Sequence, residues 1–281
     1  MTSLSINQKK LIRSLDRKKT RQETGLFLVE GDKIVRELIA SATSNLTGCK
    51  PEIIVATDDW LDEFRGSIAG GIETCSVKVN ELRQVSALRQ PNRAMAVVKQ
   101  MDYKLEYALL RQNICLVLET IQDPGNLGTI IRTADWFGVR DIICSEDSVD
   151  LYNPKVIQST MGSFLRVRVH YTDLPGLVKR MREAGKAGKT ALDADTSGSG
   201  NSLDYIVFGT SGQGETLYKA SLPSRGMILL GNESRGLSEE LMDLTDRVLK
   251  IPPHDPDIHA ESLNVSTAAA ILCAEFRRQN S

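Results

Sequence analysis

Glu261-Ser262-Leu263-Asn264-Val265-Ser266-Thr267-Ala268-Ala269-Ala270 is the stretch that decides how this chain is read. Small and hydroxyl residues lead into an apolar helix that continues to Arg278. Moving back along the chain, two further blocks interrupt apolar runs in the same way. They are Leu230-Gly231-Asn232-Glu233-Ser234-Arg235-Gly236-Leu237-Ser238 and Asp123-Pro124-Gly125-Asn126-Leu127-Gly128-Thr129-Ile130-Ile131-Arg132. Each puts glycine and polar residues between a strand-like run and a helix. Open α/β sheets carry their ligand-binding loops at such positions. Three of these loops in one half of a chain predict one composite site.

The surrounding pattern predicts two domains with a linker: residues 1–100, 101–112 and 113–281. In the second, apolar runs predict strands over 114–118, 142–144, 165–169, 190–192, 227–230 and 248–251. Helices are predicted over 128–137, 156–161, 174–184 and 239–244. Strands alternating with helices imply a mostly parallel sheet covered on both faces. Ser197-Gly198-Ser199-Gly200-Asn201 reads as a flexible loop. The first hundred residues read as a smaller α/β unit. Strands are predicted over 25–29, 53–56, 76–79 and 94–98, and helices over 6–15, 31–40, 60–64 and from a cap at Asn80 to Leu88.

The three blocks, in this order, resemble the signature motifs of the SpoU (TrmH) family of RNA ribose methyltransferases. The resemblance runs from about Asn113 to Arg278. It is close at Asn126, Gly128 and Arg132, at Gly231, Asn232, Glu233 and Gly236, and from Ser262 through Ser266. It implies a trefoil-knotted α/β domain, in which the final segment threads a loop and folds into the cofactor site. It also implies a homodimer and transfer of a methyl group from S-adenosylmethionine to a ribose 2′-hydroxyl of RNA, with no metal. Alternation of strands and helices alone would predict no knot. Leu26-Phe27-Leu28-Val29-Glu30-Gly31, with basic residues before it, resembles the RNA substrate-binding domain that often precedes this catalytic domain. That domain often carries a glycine before its last strand, where this chain has Asn92-Arg93-Ala94. The added domain favours ribosomal over transfer RNA as substrate.

The resemblance assigns Arg132 to catalysis, close to the target 2′-hydroxyl. By itself an arginine on this helix is as readily a surface residue. A guanidinium has a pKa above about 12 and is a poor proton acceptor. Arg132 therefore acts either as a base in a special environment or as a partner for phosphate and the developing alkoxide. Asn126 reads on its own as a helix cap, and the resemblance places it with Arg132, Glu233 and Asn264 in the catalytic set. Glu233 is the residue that a glycine-rich turn does not require. It either holds the loop, orienting Arg132 and Asn126, or transfers a proton. Asn264 is the strongest functional candidate of the last block, although Ser262, Asn264 and Ser266 also suit a helix N-cap. Gly231, Ile251 and Leu263 match cofactor-contacting positions, and Leu230, Asn232, Pro252 and Ser262 adjoin them. The chain departs from the family pattern at Pro252-Pro253-His254-Asp255-Pro256-Asp257-Ile258-His259-Ala260, which is longer, proline-rich and free of glycine. His254 and His259 read as loop histidines in solvent.

The composition is that of a globular protein, with 41% hydrophobic and 25% charged residues and a net charge of −1. The charge decides nothing about nucleic acid, but its distribution does. Residues 9–21 hold Lys9, Lys10, Arg13, Arg17, Lys18, Lys19 and Arg21 against the single acid Asp16. Such a run can neutralise phosphates, with Lys18, Lys19 and Arg21 as candidate RNA contacts, or can be a solvated face. Five scattered cysteines without a CxxC pair suggest a reducing cytoplasm, and three histidines give no zinc spacing. The sequence shows no secretory h-region and no apolar run long enough for a bilayer. A nucleotide-binding oxidoreductase is a weaker reading, because Gly125-x-x-Gly128 with Glu146 and Asp147 downstream lacks the full dinucleotide fingerprint. A non-catalytic RNA-binding protein is the other alternative.

Overall fold

A computed structural model describes residues 2–44, 48–88, 92–192, 205–255, 257–258 and 260–281. The 197–201 loop and His259 lie outside the described residues. The strands are β1 (Thr2–Ser3), β2 (Leu26–Glu30), β3 (Pro51–Ala56), β4 (Glu73–Ser76), β5 (Ala94–Lys99), β6 (Ile114–Leu118), β7 (Asp141–Cys144), β8 (Arg168–Tyr171), β9 (Ile206–Thr216), β10 (Gly226–Leu230) and β11 (Arg247–Lys250). The helices are α1 (Ile6–Ser14), α2 (Lys18–Thr24), α3 (Asp32–Ser44), α4 (Asp58–Phe64), α5 (Val79–Val85), α6 (Tyr107–Leu110), α7 (Pro124–Trp136), α8 (Pro154–Thr160), α9 (Leu174–Leu192), α10 (Glu239–Asp243) and α11 (Val265–Gln279). The chain forms two compact units. One is Met1–Asp102 with Asp150–Arg166, and the other is Tyr103–Val149 with Val167–Ser281.

In the first unit the sheet order is β1-β4-β3-β5-β2, with β5 antiparallel to both β3 and β2. Leu28, Val55, Cys75, Leu82, Met95 and Val97 pack as its core. The expected strand over 76–79 lies three residues earlier. Thr74, Cys75 and Ser76 pair in register with Ile54, Val55 and Ala56, and Lys78 becomes the N-cap of α5 in place of Asn80. Asp150–Arg166 joins this unit through aromatic packing and one buried ion pair. The Phe27 ring lies 4.7 Å from Tyr152 and 5.9 Å from Phe164, centroid to centroid. Arg21 is 2% exposed. Its guanidinium donates to Asp150 Oδ2 at 2.7 Å and to the Leu15 and Asp16 carbonyls. The expectation that Arg21 contacts RNA is therefore corrected. A guanidinium buried this deeply and satisfied on several sides ties α2 to the 150–166 segment, and is not available to phosphate.

The second unit carries a six-stranded, wholly parallel sheet in the order β11-β9-β10-β6-β7-β8. Residues 190–192, expected as a strand, continue α9. The sheet position is filled instead by β9, whose Ile206, Val207 and Phe208 pair with Gly226, Met227 and Ile228. No strand was expected over 206–216, and packing demands the glycines of β9. A Cβ on Gly209 would stand 2.7 Å from Thr245 Cγ2, and one on Gly214 2.6 Å from the Val248 carbonyl oxygen. The expected 165–169 strand is a 3₁₀ turn over Ser163–Leu165 followed by β8. All five cysteines are buried, and burial pushes the Cys115 and Cys273 thiols up to about 12, so they behave as small apolar residues. No described helix is long and apolar enough to cross a membrane. The loops after β6, β10 and β11 all leave from the carboxyl edge of the sheet, and α11 returns from the sheet margin to pack along α7.

Candidate active site

The loop from β6 into α7 is held in a conformation that L-residues rarely adopt, with Thr120 at φ 55°. Three side chains fix it. Ser145 Oγ accepts the Thr120 N–H at 2.8 Å, Asp147 Oδ2 accepts the Thr120 hydroxyl at 2.8 Å, and Asn232 Nδ2 donates to the Thr120 carbonyl at 3.0 Å. Hydrogen bonding, first from Ser145, holds the Asp147 carboxyl below its ordinary pKa. Asp147, one of the two downstream acids of the oxidoreductase reading, is thus engaged within its own loop. Asp123 then caps α7 by accepting the Asn126 N–H at 2.8 Å, with Pro124 in the first turn. This corrects the reading of Asn126 as a cap. Asp123 fills that position, which leaves the Asn126 amide side chain free to face the other loops.

The loop from β10 into α10 closes on itself. Asn232 and Gly236 exchange backbone hydrogen bonds at 3.0 and 2.9 Å, and Asn232 Oδ1 accepts the Ser234 and Arg235 N–H groups. Gly236 takes φ 72°, as this reversal requires. Gly231 is demanded by the loop itself, since a Cβ there would lie 2.1 Å from the Gly236 carbonyl carbon and 2.2 Å from Leu237 N. Two bonds tie this loop to β6. The Glu119 N–H donates to the Leu230 carbonyl at 2.9 Å, and Glu119 Oε2 accepts the Ser238 N–H at 2.7 Å.

Asn264 is the N-cap of α11. Its Oδ1 accepts the N–H groups of Ser266 and Thr267 and the Ser266 hydroxyl, at 2.9, 3.4 and 2.6 Å. Of the three residues suited to cap this helix, Asn264 does so. Ser266 supports it from a buried position, and Ser262 stays exposed outside the cap. Its Nδ2 has a second task, donating to Asn126 Oδ1 at 2.9 Å, while Asn126 Nδ2 donates to Glu233 Oε1 at 2.8 Å. One hydrogen-bonded chain, Asn264 to Asn126 to Glu233, therefore joins the three sequence blocks. Its polarity is fixed at one end, because an ionised carboxylate only accepts.

Arg132 is exposed on α7 and makes no hydrogen bond or ion pair among the described residues. Glu233 engages Asn126 and does not reach Arg132. Ile251 and Pro252 are half-buried, Leu230 is buried, and Leu263 is 48% exposed with its backbone unpaired among the described residues. His254 is exposed. Of the basic run, Lys9 pairs with Glu81, Arg13 donates to the Gln84 carbonyl and Arg21 is buried, leaving Lys10, Arg17, Lys18 and Lys19 in solvent. Sequence reading missed Glu119, Thr120 and Ser145, and named Asp147 only for another role. Glu119 had one local signal, an acid that ends an apolar strand. The others act through partners too distant in sequence to read.

The motif for the SpoU rRNA methylase family matches residues 113–202 and 195–274, and that for the MRM3-like substrate binding domain matches residues 7–96. A 23S rRNA (guanosine(2553)-2′-O)-methyltransferase, RlmP of Bacillus subtilis (strain 168), is 31% identical over 266 residues, 94% of each chain. The structure of a putative RNA methyltransferase of the TrmH family from Porphyromonas gingivalis superposes with a TM-score of 0.81 at 31% identity, over 99% of this chain and 100% of that one. The AdoMet-bound rRNA methyltransferase from Sinorhizobium meliloti gives 0.80 at 26% identity, over 99% and 97%. The chain belongs to the SpoU rRNA methylase family. It is an S-adenosylmethionine-dependent RNA ribose methyltransferase.

Proposed function

We propose that the target is a ribose 2′-hydroxyl in ribosomal RNA and that the loops after β6, β10 and β11 form the methyl-transfer site. The Bacillus relative, named as a 23S rRNA enzyme and aligned over almost the whole chain, supports ribosomal over transfer RNA. The observation that carries the site assignment is the Asn264–Asn126–Glu233 chain, which gathers the three loops at one edge of the sheet. Around it, Leu230, Gly231, Asn232, Ile251, Pro252, Ser262 and Leu263 hold S-adenosylmethionine. Their chemistry fits an adenosyl group. Ile251, Pro252 and Leu263 offer apolar surface, and the unpaired Leu263 backbone offers a donor and an acceptor for the edge of a purine. The bound cofactor supplies a methyl group already activated on a sulfonium, so the chemistry needs no metal.

The protein contributes alignment and charge. Arg132, exposed and unpaired, is available for the target phosphate and for the negative charge that grows on the ribose oxygen. A guanidinium gives up its proton too reluctantly to serve as the simpler base. Glu233 Oε1 is occupied by Asn126 Nδ2, which assigns Glu233 to holding the loops. Asn126 and Asn264 fix the loops' spacing, the source of proximity effects in transfer reactions. The first unit serves as the RNA-binding domain, with Lys18 and Lys19 on phosphates. The C-terminal segment is threaded as a knot, in keeping with the return of α11 to α7. The protein works as a homodimer, which would cover Trp136, 85% exposed at the end of α7. Its compartment is the cytoplasm, supported by five free buried thiols.

The test is methyl transfer from labelled S-adenosylmethionine to rRNA and tRNA supplied separately, followed by nucleoside analysis. A 2′-O-methylnucleoside in rRNA alone is expected. Label in tRNA alone, or on a base, would overturn the assignment.

A further inference from the structure

In the first unit, the carboxyl ends of β2, β3 and β4 and the start of the antiparallel β5 gather at one edge of the sheet. A cavity of about 260 Å³ opens there, lined by Asp32, Thr57, Val79, Leu82, Asn92 and Arg93. Open α/β sheets bind ligands in such a crevice. Thr57 is 6% exposed, and its Oγ1 is fully buried without a hydrogen-bond partner among the described residues. It is the N-cap residue of α4, but its side chain makes no capping hydrogen bond. Asp59 lies near enough that Thr57 is the first cause of its lowered pKa, followed by Arg93, yet the pair does not meet hydrogen-bond geometry. Buried polar groups are nearly always paired, so this hydroxyl points to a missing partner. Val79, apolar and 53% exposed, stands on the cavity wall.

The electrostatics narrow the occupant. The Arg93 guanidinium is held by Asp32, Asp59 and Glu63 at 3.0, 3.2 and 3.1 Å. Three carboxylates on one guanidinium leave no net attraction for an anion, so a phosphate does not fit. What remains is an apolar wall, Val79 and Leu82, facing an edge of mixed donors and acceptors from Asp32, Thr57, Asn92 and Arg93. A neutral planar heterocycle matches that arrangement. Lys33 and Lys78, adjoining Asp32 and Val79 in the chain, are exposed and can meet flanking phosphates. The basic helix α1 packs beside α5, which supplies Val79 and Leu82.

We propose that this cavity takes one unstacked nucleobase of the RNA substrate, packed against Val79 and Leu82 and hydrogen-bonded by Thr57 and Asn92. Proteins that recognise RNA sequence commonly read bases splayed out of loops by hydrogen bonds to their edges. The proposal rests on the reading of this unit as the substrate-binding domain. It would make the unit a sequence reader in addition to an electrostatic anchor.

The test uses the full chain, isotopically labelled, titrated with each of the four ribonucleoside 5′-monophosphates and, separately, with N-acetylarginine amide. At least one nucleotide should shift the amide resonances of Thr57, Val79 and Asn92. Thr57→Val should weaken that binding and raise the KM for rRNA about fivefold, the effect of one lost hydrogen bond, with kcat unchanged. Its Tm should hold or rise, because the hydroxyl removed had no partner. Val79→Trp, which obstructs the mouth from an exposed position, should abolish the shifts. No nucleotide shift, shifts with the arginine amide alone, or a lower Tm in Thr57→Val would overturn the proposal. Lys18→Ala/Lys19→Ala separates the two levels. If it weakens rRNA binding while the cavity variants do not, the cavity assignment fails and the domain assignment stands. If neither weakens binding, both fail.

Discussion

Asn264→Asp separates the two tasks of one side chain. The wild-type amide caps α11 through Oδ1 and links the loops through Nδ2. Aspartate keeps the acceptor and loses the donor. As a cap it is at least equal, and its charge at the N-terminus of the 15-residue α11 adds about 0.3–1 kcal/mol of favourable dipole interaction. The link cannot be rebuilt by turning Asn126 over. In either orientation of its amide, one oxygen faces a carboxylate, Glu233 on one side or the new aspartate on the other. The lost contact is worth roughly 1–3 kcal/mol, which corresponds to a five- to 150-fold fall in turnover if the loops must be locked in the transition state. Asn264→Ala should lose the link and also the cap, costing about 1 kcal/mol of stability, or some 2–4 °C in a chain of this size. Methyl transfer from labelled cofactor, beside thermal unfolding, measures both quantities. An Asn264→Asp protein with wild-type turnover would refute the idea that the hydrogen-bonded chain organises the site.

Arg132→Ala should lower turnover by about 100-fold or more, the scale of losing one charge-stabilising donor, while calorimetry shows nearly unchanged cofactor affinity. Arg132→Lys should not rescue it, because a point charge cannot replace bidentate geometry. Gly231→Ala should weaken cofactor binding more than tenfold in a protein of unchanged circular dichroism, since its Cβ would drive the Gly236–Leu237 backbone out of place. Lys18→Ala/Lys19→Ala should flatten the salt dependence of RNA binding by about 1.5 in logarithmic slope with Tm unchanged. Arg21→Ala should instead lower stability by about 3 kcal/mol, leaving Asp150 without its buried partner, as denaturant unfolding would read.

The parallel domain and its three loops were legible because each depends on local signals: an apolar strand, a glycine or proline break, and a helix start. Asn264 could be read as a cap and as a functional residue; it caps α11, and its amide also bonds Asn126. Asn126 could be read as a cap or as a catalytic group. Asp123, three residues earlier, offers the same capping chemistry, and only the helix start decides between them. Arg21 looked like its neighbours Lys18 and Lys19, and its burial depends on Asp150, far along the chain. β9 was not assigned from the sequence, and the need for its glycines lies in β11 and the turn before it. Thr120, held by Ser145, Asp147 and Asn232, shows the same limit, since its strained backbone is explained only by long-range contacts.

The central claim is that this chain methylates a ribose hydroxyl of ribosomal RNA through the site that Asn264, Asn126 and Glu233 assemble. The most direct measurement incubates the purified protein with methyl-labelled S-adenosylmethionine and rRNA, then identifies the labelled nucleoside by mass spectrometry, with Arg132→Ala alongside. The account predicts label on the 2′-oxygen of one nucleotide in the wild-type reaction and about 100-fold less, or lower still, in the variant. Label on a base, equal labelling by the variant, or an unlabelled rRNA from a folded, cofactor-binding protein would contradict it.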